Sequence, residues 1–332
     1  MKKTYILITL VLAAMLSSCK KSMTSDEIND LASSGVVLII NQFYYSVTLP
    51  GGSEFYFNGI SNGELVGFTG DEEEAEKNSS MSMGTGFFIS DDGLIMTNRH
   101  VAKPQVNDSD VKAFLRDFKR AIKKSYDEKI SEIASAYYSY EGDPEMQQRC
   151  YALYNEYQKT RENIDDMDMN EASINTHTQL AIVYNGSHIT KEEDLVECIT
   201  VAVSDDEDVD LALIQLKKKE MPEGTYVFHL RESDDDLSMD QKLFMIGYNR
   251  GIQIAKTSEG DIQSQMYTGN VTQKGDGDKI LYSIPAQHGS SGSPVVDEHC
   301  EVVAVNFAGL DDTQSFNYGI PLKKVREFLE ET

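Results

Sequence analysis

Cysteine is scarce, four in 332 residues, and seven prolines with 23 glycines fall well short of a collagen-like or low-complexity composition. A disulfide-stapled scaffold, a fibre and a disordered chain are therefore excluded, and the length suffices for one large domain or two small ones with a real core. Basic residues are also short, 30 Lys and Arg against 55 Asp and Glu, for a net charge of −25. Affinity for nucleic acid rests on neutralising phosphates with Lys and Arg, so that partner is excluded. The acidity says little more, because a uniformly acidic surface serves solubility. No segment after Cys19 is apolar enough to cross a bilayer as a helix. No CxxC and no zinc-ligand spacing is present, so neither a metal site nor a cysteine nucleophile is expected, and no internal repeat is evident.

What is present starts with an address. Lys2 and Lys3 lead an apolar run from Tyr5 to Leu16, then Ser17, Ser18 and Cys19. That is the plan of a secretory signal, too short to span comfortably. Leu16-Ser17-Ser18-Cys19 resembles the lipobox of bacterial lipoproteins, in which the chain is cut before the cysteine and the cysteine is acylated. An ordinary signal peptide cut nearby is the alternative. Each acyl methylene buried in lipid contributes ~0.8 kcal/mol. A protein acylated at Cys19 would hang from a bacterial envelope membrane, on its periplasmic or cell-surface side. Cys150, Cys198 and Cys300 would remain, an odd number that allows one disulfide or none. Residues 20–34 are polar and read as a tether, leaving 35–332 as one folded domain.

That domain opens in β texture. VVLIINQFYYSVTL and EFYFNGI, split by Pro50-Gly51-Gly52, predict a hairpin, GDEEEAEKNSS (70–80) an acidic loop, and GTGFFIS with LIMTN (84–98) a second hairpin. From Val111 the period changes. Val111, Leu115, Phe118, Ile122, Tyr126, Ile130, Ile133 and Tyr137 are spaced by threes and fours, which predicts a helix some 30 residues long. Asp143 and Pro144 suit the N-cap and first turn of a second helix carrying Met146, Cys150, Leu153, Tyr157 and Ile164. Together they predict a helical hairpin inserted at about 105–170, its basic run Lys112 to Lys124 on the solvated outer face. After Thr176 short strands return (TQLAIVY, LVECITVAVS, DLALIQL, YVFHL, KLFMIGY, IQIAKT, QMYTGNVTQ, KILYSIPA, SPVVD, EVVAVNFA, FNYGIPL) before a closing helix LKKVREFLEE. About a dozen short strands argue for barrels or a sandwich.

Three strings carry chemistry. Thr97-Asn98-Arg99-His100-Val101-Ala102 follows a strand, Asp208-Val209-Asp210-Leu211-Ala212 opens a buried one, and Gly289-Ser290-Ser291-Gly292-Ser293-Pro294 is a glycine-rich turn feeding another. Each alone is an ordinary structural string. Together they stand in the order His, Asp, Ser, which separates the chymotrypsin arrangement from those of other hydrolases. The chain resembles the trypsin-like serine proteases, most of all the bacterial HtrA (Deg) proteases around GTGFFIS…LIMTNRHV, DLALIQL and EVVAVNFAG…FNYGIPLKKVREFL. At Ser-Gly-Ser-Pro-Val it is also similar to glutamyl endopeptidase. The resemblance covers about 35–103 and 176–330.

The resemblance implies a mainly β fold, two six-stranded antiparallel barrels with the inserted helical hairpin and a C-terminal helix. It makes Ser291 the nucleophile, His100 the general base and Asp210 the residue that orients the imidazole. The N–H groups of Gly289 and Ser291 form its oxyanion hole, and Pro285, Ala286, His288 and Asn306 line its substrate cleft. Strand alternation turns Val209, Leu211 and Leu213 away from Asp210, and Asp208 is the weaker alternative to it. Departures narrow the activity. Ser290 replaces the aspartate that pairs with a freed N-terminus in trypsin-type zymogens, so activation by that cleavage is not expected. Pro285 stands where trypsin has its pocket carboxylate, and Asn306 near a carboxylate-binding histidine of glutamyl endopeptidases, so neither specificity is expected. The chain ends soon after the closing helix, and a protease without a PDZ domain is expected. The reading is an envelope-anchored serine endopeptidase acting on protein or peptide substrates without cofactor. Its rival is an inactive or assembly-regulated protease scaffold that binds a partner, or a further copy, through the helical insertion.

Overall fold

The computed structural model describes residues 21–206, 208–233, 237–273, 275–307 and 317–332. The segment read as a secretory signal, with Cys19, lies outside the described residues. A short helix, α1 (Ser25–Ala32), precedes strand β1 (Val36–Thr48), which turns back as β2 (Glu54–Phe57). Next come the ribbon β3 (Gly59–Ser61) and β4 (Glu64–Val66), helix α2 (Glu72–Lys77), the hairpin β5 (Ser80–Phe88) and β6 (Leu94–Thr97), and one helical turn, α3 (Arg99–Ala102). Helices α4 (Asp108–Ser139) and α5 (Pro144–Asp166) lead to β7 (Ser173–Tyr184), β8 (Ser187–His188), β9 (Val196–Val203) and β10 (Ala212–Leu216). The chain continues through β11 (Lys242–Gly247), helix α6 (Ile252–Ala255), β12 (Asp261–Ile262), β13 (Gln265–Gln273) and β14 (Ile280–Tyr282). It closes with β15 (Pro294–Val296), β16 (Val302–Asn306), β17 (Asn317–Pro321) and helix α7 (Leu322–Glu330).

Six strands close the first barrel in the order β1-β5-β6-β10-β9-β7, with β7 pairing back to β1 and β2 added outside β1. Six more close the second, β11-β13-β14-β17-β16-β15. Two antiparallel barrels, the inserted helices and the C-terminal helix are the fold that the resemblance implied. Strand β10 shows why so apolar a run is needed. Val209, Leu211 and Leu213 enter one apolar cluster while Ala212, Ile214 and Leu216 enter another, so the strand is buried on both faces.

The described residues fall into two compact units, one within Met1–Ile40, Met83–Ala102 and Leu180–Thr332, the other within Asn41–Ser82 and Lys103–Gln179. In the first unit a cluster including Leu38, Phe87, Met96, Leu213, Phe244, Tyr248, Val302 and Val305 joins strands of both barrels. The second unit has its own core, in which Val111 and Leu115 of α4 pack with Tyr45, Val47, Phe57, Leu65 and Met169. Asp143 caps α5 by accepting from the Met146 N–H at 3.1 Å, with Pro144 in its first turn, as the sequence indicates.

Several expectations need correction. The segment read as a tether over 20–34 is helical from Ser25: Thr24 and Glu27 form a reciprocal capping box, and Ile28 and Ala32 are fully buried. The acidic stretch 70–80 contains α2, capped by Asp71, because three glutamates in a first turn favour the positive end of a helix. YVFHL is not a strand. Its Phe228 N–H bonds to Phe88 O at 2.8 Å and Leu230 makes one bridge to Val302, without a ladder. IQIAKT forms the short α6 instead of a strand. The basic run of α4 does not simply face solvent. Lys119 donates to the carbonyls of Asp165 and Met167, each at 2.7 Å, and Lys123 pairs with Asp165, so two cations cap the C-terminal end of α5. Cys150, Cys198 and Cys300 are buried free thiols.

Candidate active site

Strands β6 and β10 are antiparallel neighbours with Thr97 opposite Ala212. The chain leaving β6 and the chain entering β10 therefore meet at one end of the first barrel, and that end carries His100 and Asp210. Asp210 holds His100 at two points. Its Oδ1 accepts the His100 backbone N–H at 2.9 Å, and its Oδ2 lies 2.5 Å from the ring Nδ1. Asn98, fully buried, donates from Nδ2 to the Asp210 carbonyl at 2.8 Å and fixes the backbone beneath the carboxylate. Asp210 is buried against His100 while Asp208 is exposed, its backbone N–H donating to Asp206 Oδ1, so among the described residues it is Asp210 and not Asp208 that meets the imidazole. With Nδ1 facing a carboxylate, the imidazole carries its proton on that side and presents Nε2 as the basic nitrogen. Phe307 meets the His100 ring edge-on at 6.1 Å and stacks on Tyr318 at 5.0 Å. Burial, and then the negative charge of Asp210, push the Tyr318 phenol above its ordinary range.

The serine turn belongs to the same unit and is stitched to Thr85 of β5, which is tied in turn to Thr97 at the end of β6. The Thr85 N–H donates to Ser291 O at 2.8 Å, Thr85 Oγ1 to Gly289 O at 2.7 Å, and Thr97 Oγ1 to Thr85 O at 2.7 Å. Two glycines make this fit possible. Gly292 has φ +84°, and a Cβ there would sit 2.2 Å from Thr85 O; Gly289 has φ +94°, and its Cβ would lie 2.3 Å from Tyr248 O. Of the three clustered serines only Ser291 retains any exposure, 4%, against 0% for Ser290 and Ser293. Ser290 Oγ is consumed inside the turn, donating to Gln287 O at 2.7 Å and accepting from the Gln287 N–H at 3.2 Å. Among the described residues Ser291 Oγ makes no hydrogen bond.

The residues read as a substrate cleft divide. Pro285 and His288 are exposed and Ala286 is half-buried, ahead of the turn. Pro285 O accepts from Asn249 Nδ2 at 3.3 Å, and His288 O accepts from the Arg250 N–H at 2.5 Å. Asn306 is corrected. It is fully buried, with Nδ2 donating to Ser290 O at 2.9 Å and Oδ1 accepting from Tyr282 OH at 2.7 Å, so its side chain lines no cleft. Its place in the strand, opposite Gly319, turns it inward beneath the serine turn. The sequence reading missed Thr85, Asn98 and Tyr282. A threonine between two glycines of a strand and the Asn of Thr97-Asn98-Arg99-His100 were the available signals, while nothing local marked Tyr282. Among the described residues no group of three or more His, Cys, Asp or Glu is placed to hold a metal ion. His177 bonds Ser46 and stacks on Tyr44, and His188 pairs with Asp261, so both have other partners.

Two closed antiparallel barrels, with His, Asp and Ser presented in that order, define the fold of the trypsin-like peptidases. Residues 171–305 match the family model for the trypsin-like peptidase domain, a span that takes in Asp210 and Ser291 but not His100. Over that span the chain is similar to the trypsin-like peptidases, in agreement with the resemblance read from the motifs around Asp210 and Ser291. No curated protein matches the chain in sequence. Among solved structures it is similar to the serine endoprotease from Yersinia pestis, at 12% identity and a TM-score of 0.45 over 94% of this chain and 67% of that one. The architecture rests on the strand pairings and not on that likeness.

Proposed function

We propose that the protein is a serine endopeptidase working through an acyl-enzyme on Ser291. The observation that carries this reading is the double hold of Asp210 on His100, on the barrel end to which the serine turn is tied. A serine hydroxyl is a weak nucleophile at neutral pH and needs a base within hydrogen-bond reach. His100 Nε2 takes the Ser291 proton as Oγ adds to the scissile carbonyl, then passes it to the leaving amine. Asp210 fixes the tautomer and stabilises the imidazolium. The N–H groups of Gly289 and Ser291 receive the oxyanion, each such donor contributing a few kcal/mol in the transition state. Water then attacks the acyl-enzyme with His100 again as base. In a free enzyme the serine–histidine bond is often loose and tightens only with substrate bound.

Secretion followed by acylation of Cys19 is the proposed route to the envelope, which would hold the domain on a membrane at its N-terminus. No helix among the described residues is long and apolar enough to cross a membrane. Proteins or peptides are the proposed substrates.

The test is labelling of the folded protein by a fluorophosphonate, with Ser291→Ala as the control. Labelling that vanishes in the variant, together with cleavage of a peptide library, is the expected result. Folded wild-type protein that neither labels nor cleaves would overturn the reading in favour of a scaffold that binds through its helical insertion. Metabolic palmitate labelling lost in Cys19→Ser tests the anchor separately.

A further inference from the structure

We infer that Asn306, oriented by Tyr282, is a positioning residue that aims the Ser291 N–H at the oxyanion. The inference rests on the endopeptidase reading above and deepens it. Every peptide bond described is trans, so the C=O of Ser290 and the N–H of Ser291 point in opposite directions from one plane. Asn306 Nδ2 donates to that C=O at 2.9 Å from beneath the turn, and the Ser293 N–H donates to it at 3.0 Å. With the carbonyl drawn inward, the Ser291 N–H is turned outward and has no acceptor among the described residues. Asn306 Nδ2 also reaches Ser290 Oγ at 3.2 Å, and that hydroxyl already gives its proton to Gln287 O. Both atoms facing Nδ2 therefore accept, and the amide cannot be turned over without setting its own oxygen against them.

Tyr282 fixes the other end. Its OH donates to Asn306 Oδ1 at 2.7 Å, and both residues are fully buried. A phenol held in the second barrel thus sets an amide, the amide sets a peptide plane, and the plane sets a donor. Side chain and turn are held by two further backbone bonds, Gly292 N–H to Asn306 O at 3.0 Å and Asn306 N–H to Ser293 O at 2.9 Å. Substitution of the side chain leaves these two bonds in place.

Loss of one oxyanion donor lowers kcat by about 10²–10³. Because the Ser293 N–H still holds Ser290 O, Asn306→Leu and Tyr282→Phe should lower kcat about ten- to a hundredfold, with KM within about twofold. Affinity for a peptide aldehyde, whose adduct needs the same donor, should fall in parallel. Crystal structures of both variants should show the 290–291 peptide rotated. Should Asn306→Leu fail to fold, Tyr282→Phe retains the ring and carries the test. Folded variants with wild-type kcat, wild-type aldehyde affinity and an unmoved 290–291 peptide overturn the assignment. A wild-type protein without activity whose variants nonetheless rotate that peptide sinks the endopeptidase reading, and with it the catalytic purpose, and leaves standing only that Asn306 orients the 290–291 peptide.

Discussion

Shortening the helical hairpin at two different places tests which part of it belongs to a core. Arg161 Nε bonds Asp127 Oδ1 at 3.0 Å and Lys123 pairs with Asp165, so the helices run antiparallel with Asp127 opposite Arg161. Replacing residues 128–160 by a four-residue glycine-rich bridge reconnects the helices where they already touch. Beyond that line only Ile130 and Cys150 are buried, so the distal hairpin contributes little to the rest of the unit. Replacing 107–167 instead removes Val111 and Leu115, 0% and 1% exposed, and strips Phe114 and Phe118 from the ring of Phe68. Two buried aliphatic side chains stabilise by roughly 1.5–3 kcal/mol each. With the aromatic contacts, the loss is on the order of 5 kcal/mol, comparable with the ~5–15 kcal/mol that holds a domain folded. At a slope of about 1–3 kcal/mol per molar urea, that moves a midpoint by ~2–5 M. The short deletion should unfold cooperatively in urea within about 1 kcal/mol of wild type. The long one should show no folded baseline for the second unit by circular dichroism and limited proteolysis. A long deletion with the wild-type midpoint would refute the assignment of residues 108–118 to that core.

Three further outcomes are expected. Asp210→Asn should lower kcat about 10⁴-fold in the folded protein, because the amide stabilises the wrong imidazole tautomer; a pre-steady-state acylation rate close to wild type would contradict the role given to Asp210. Burial pushes the thiols of Cys198 and Cys300 up to about 12 and about 11, so thiolate is roughly one part in 10³–10⁴ at pH 8 and native protein should resist iodoacetamide at both positions until urea is added. Glu27 is held down to about 2 by its bonds to Lys21 and Thr24, so its support of α1 is complete above the ordinary carboxylate range and is lost as pH falls towards about 2. Hydrogen-exchange protection of the Ile28 amide should follow that course in wild type and stay flat in Glu27→Gln.

The parts of this protein governed by local chemistry were legible without coordinates. Periodicity marked α4 from Val111 onward, Asp143-Pro144 marked the start of α5, and alternation marked both faces of β10. Motif context singles out Ser291 and Asp210 from their neighbours as candidates, because glycine spacing and strand alternation are written in consecutive residues. What depended on distant partners was not legible. The start of α1 is written locally in the Thr24–Glu27 capping box but its docking depends on the apolar cluster that Ile28 enters, and YVFHL makes one bridge to Val302 among the described residues instead of a ladder. Lys119 and Lys123 look like surface charge until α5 ends beside them. Asn306 is the sharpest case. Its sequence position gave it to a cleft wall, and only the pairing of β16 with β17, with Tyr282 behind, turned its amide under the serine turn. A side chain's type and spacing are fixed by the chain, but the group it meets 24 residues away is fixed by how barrels close.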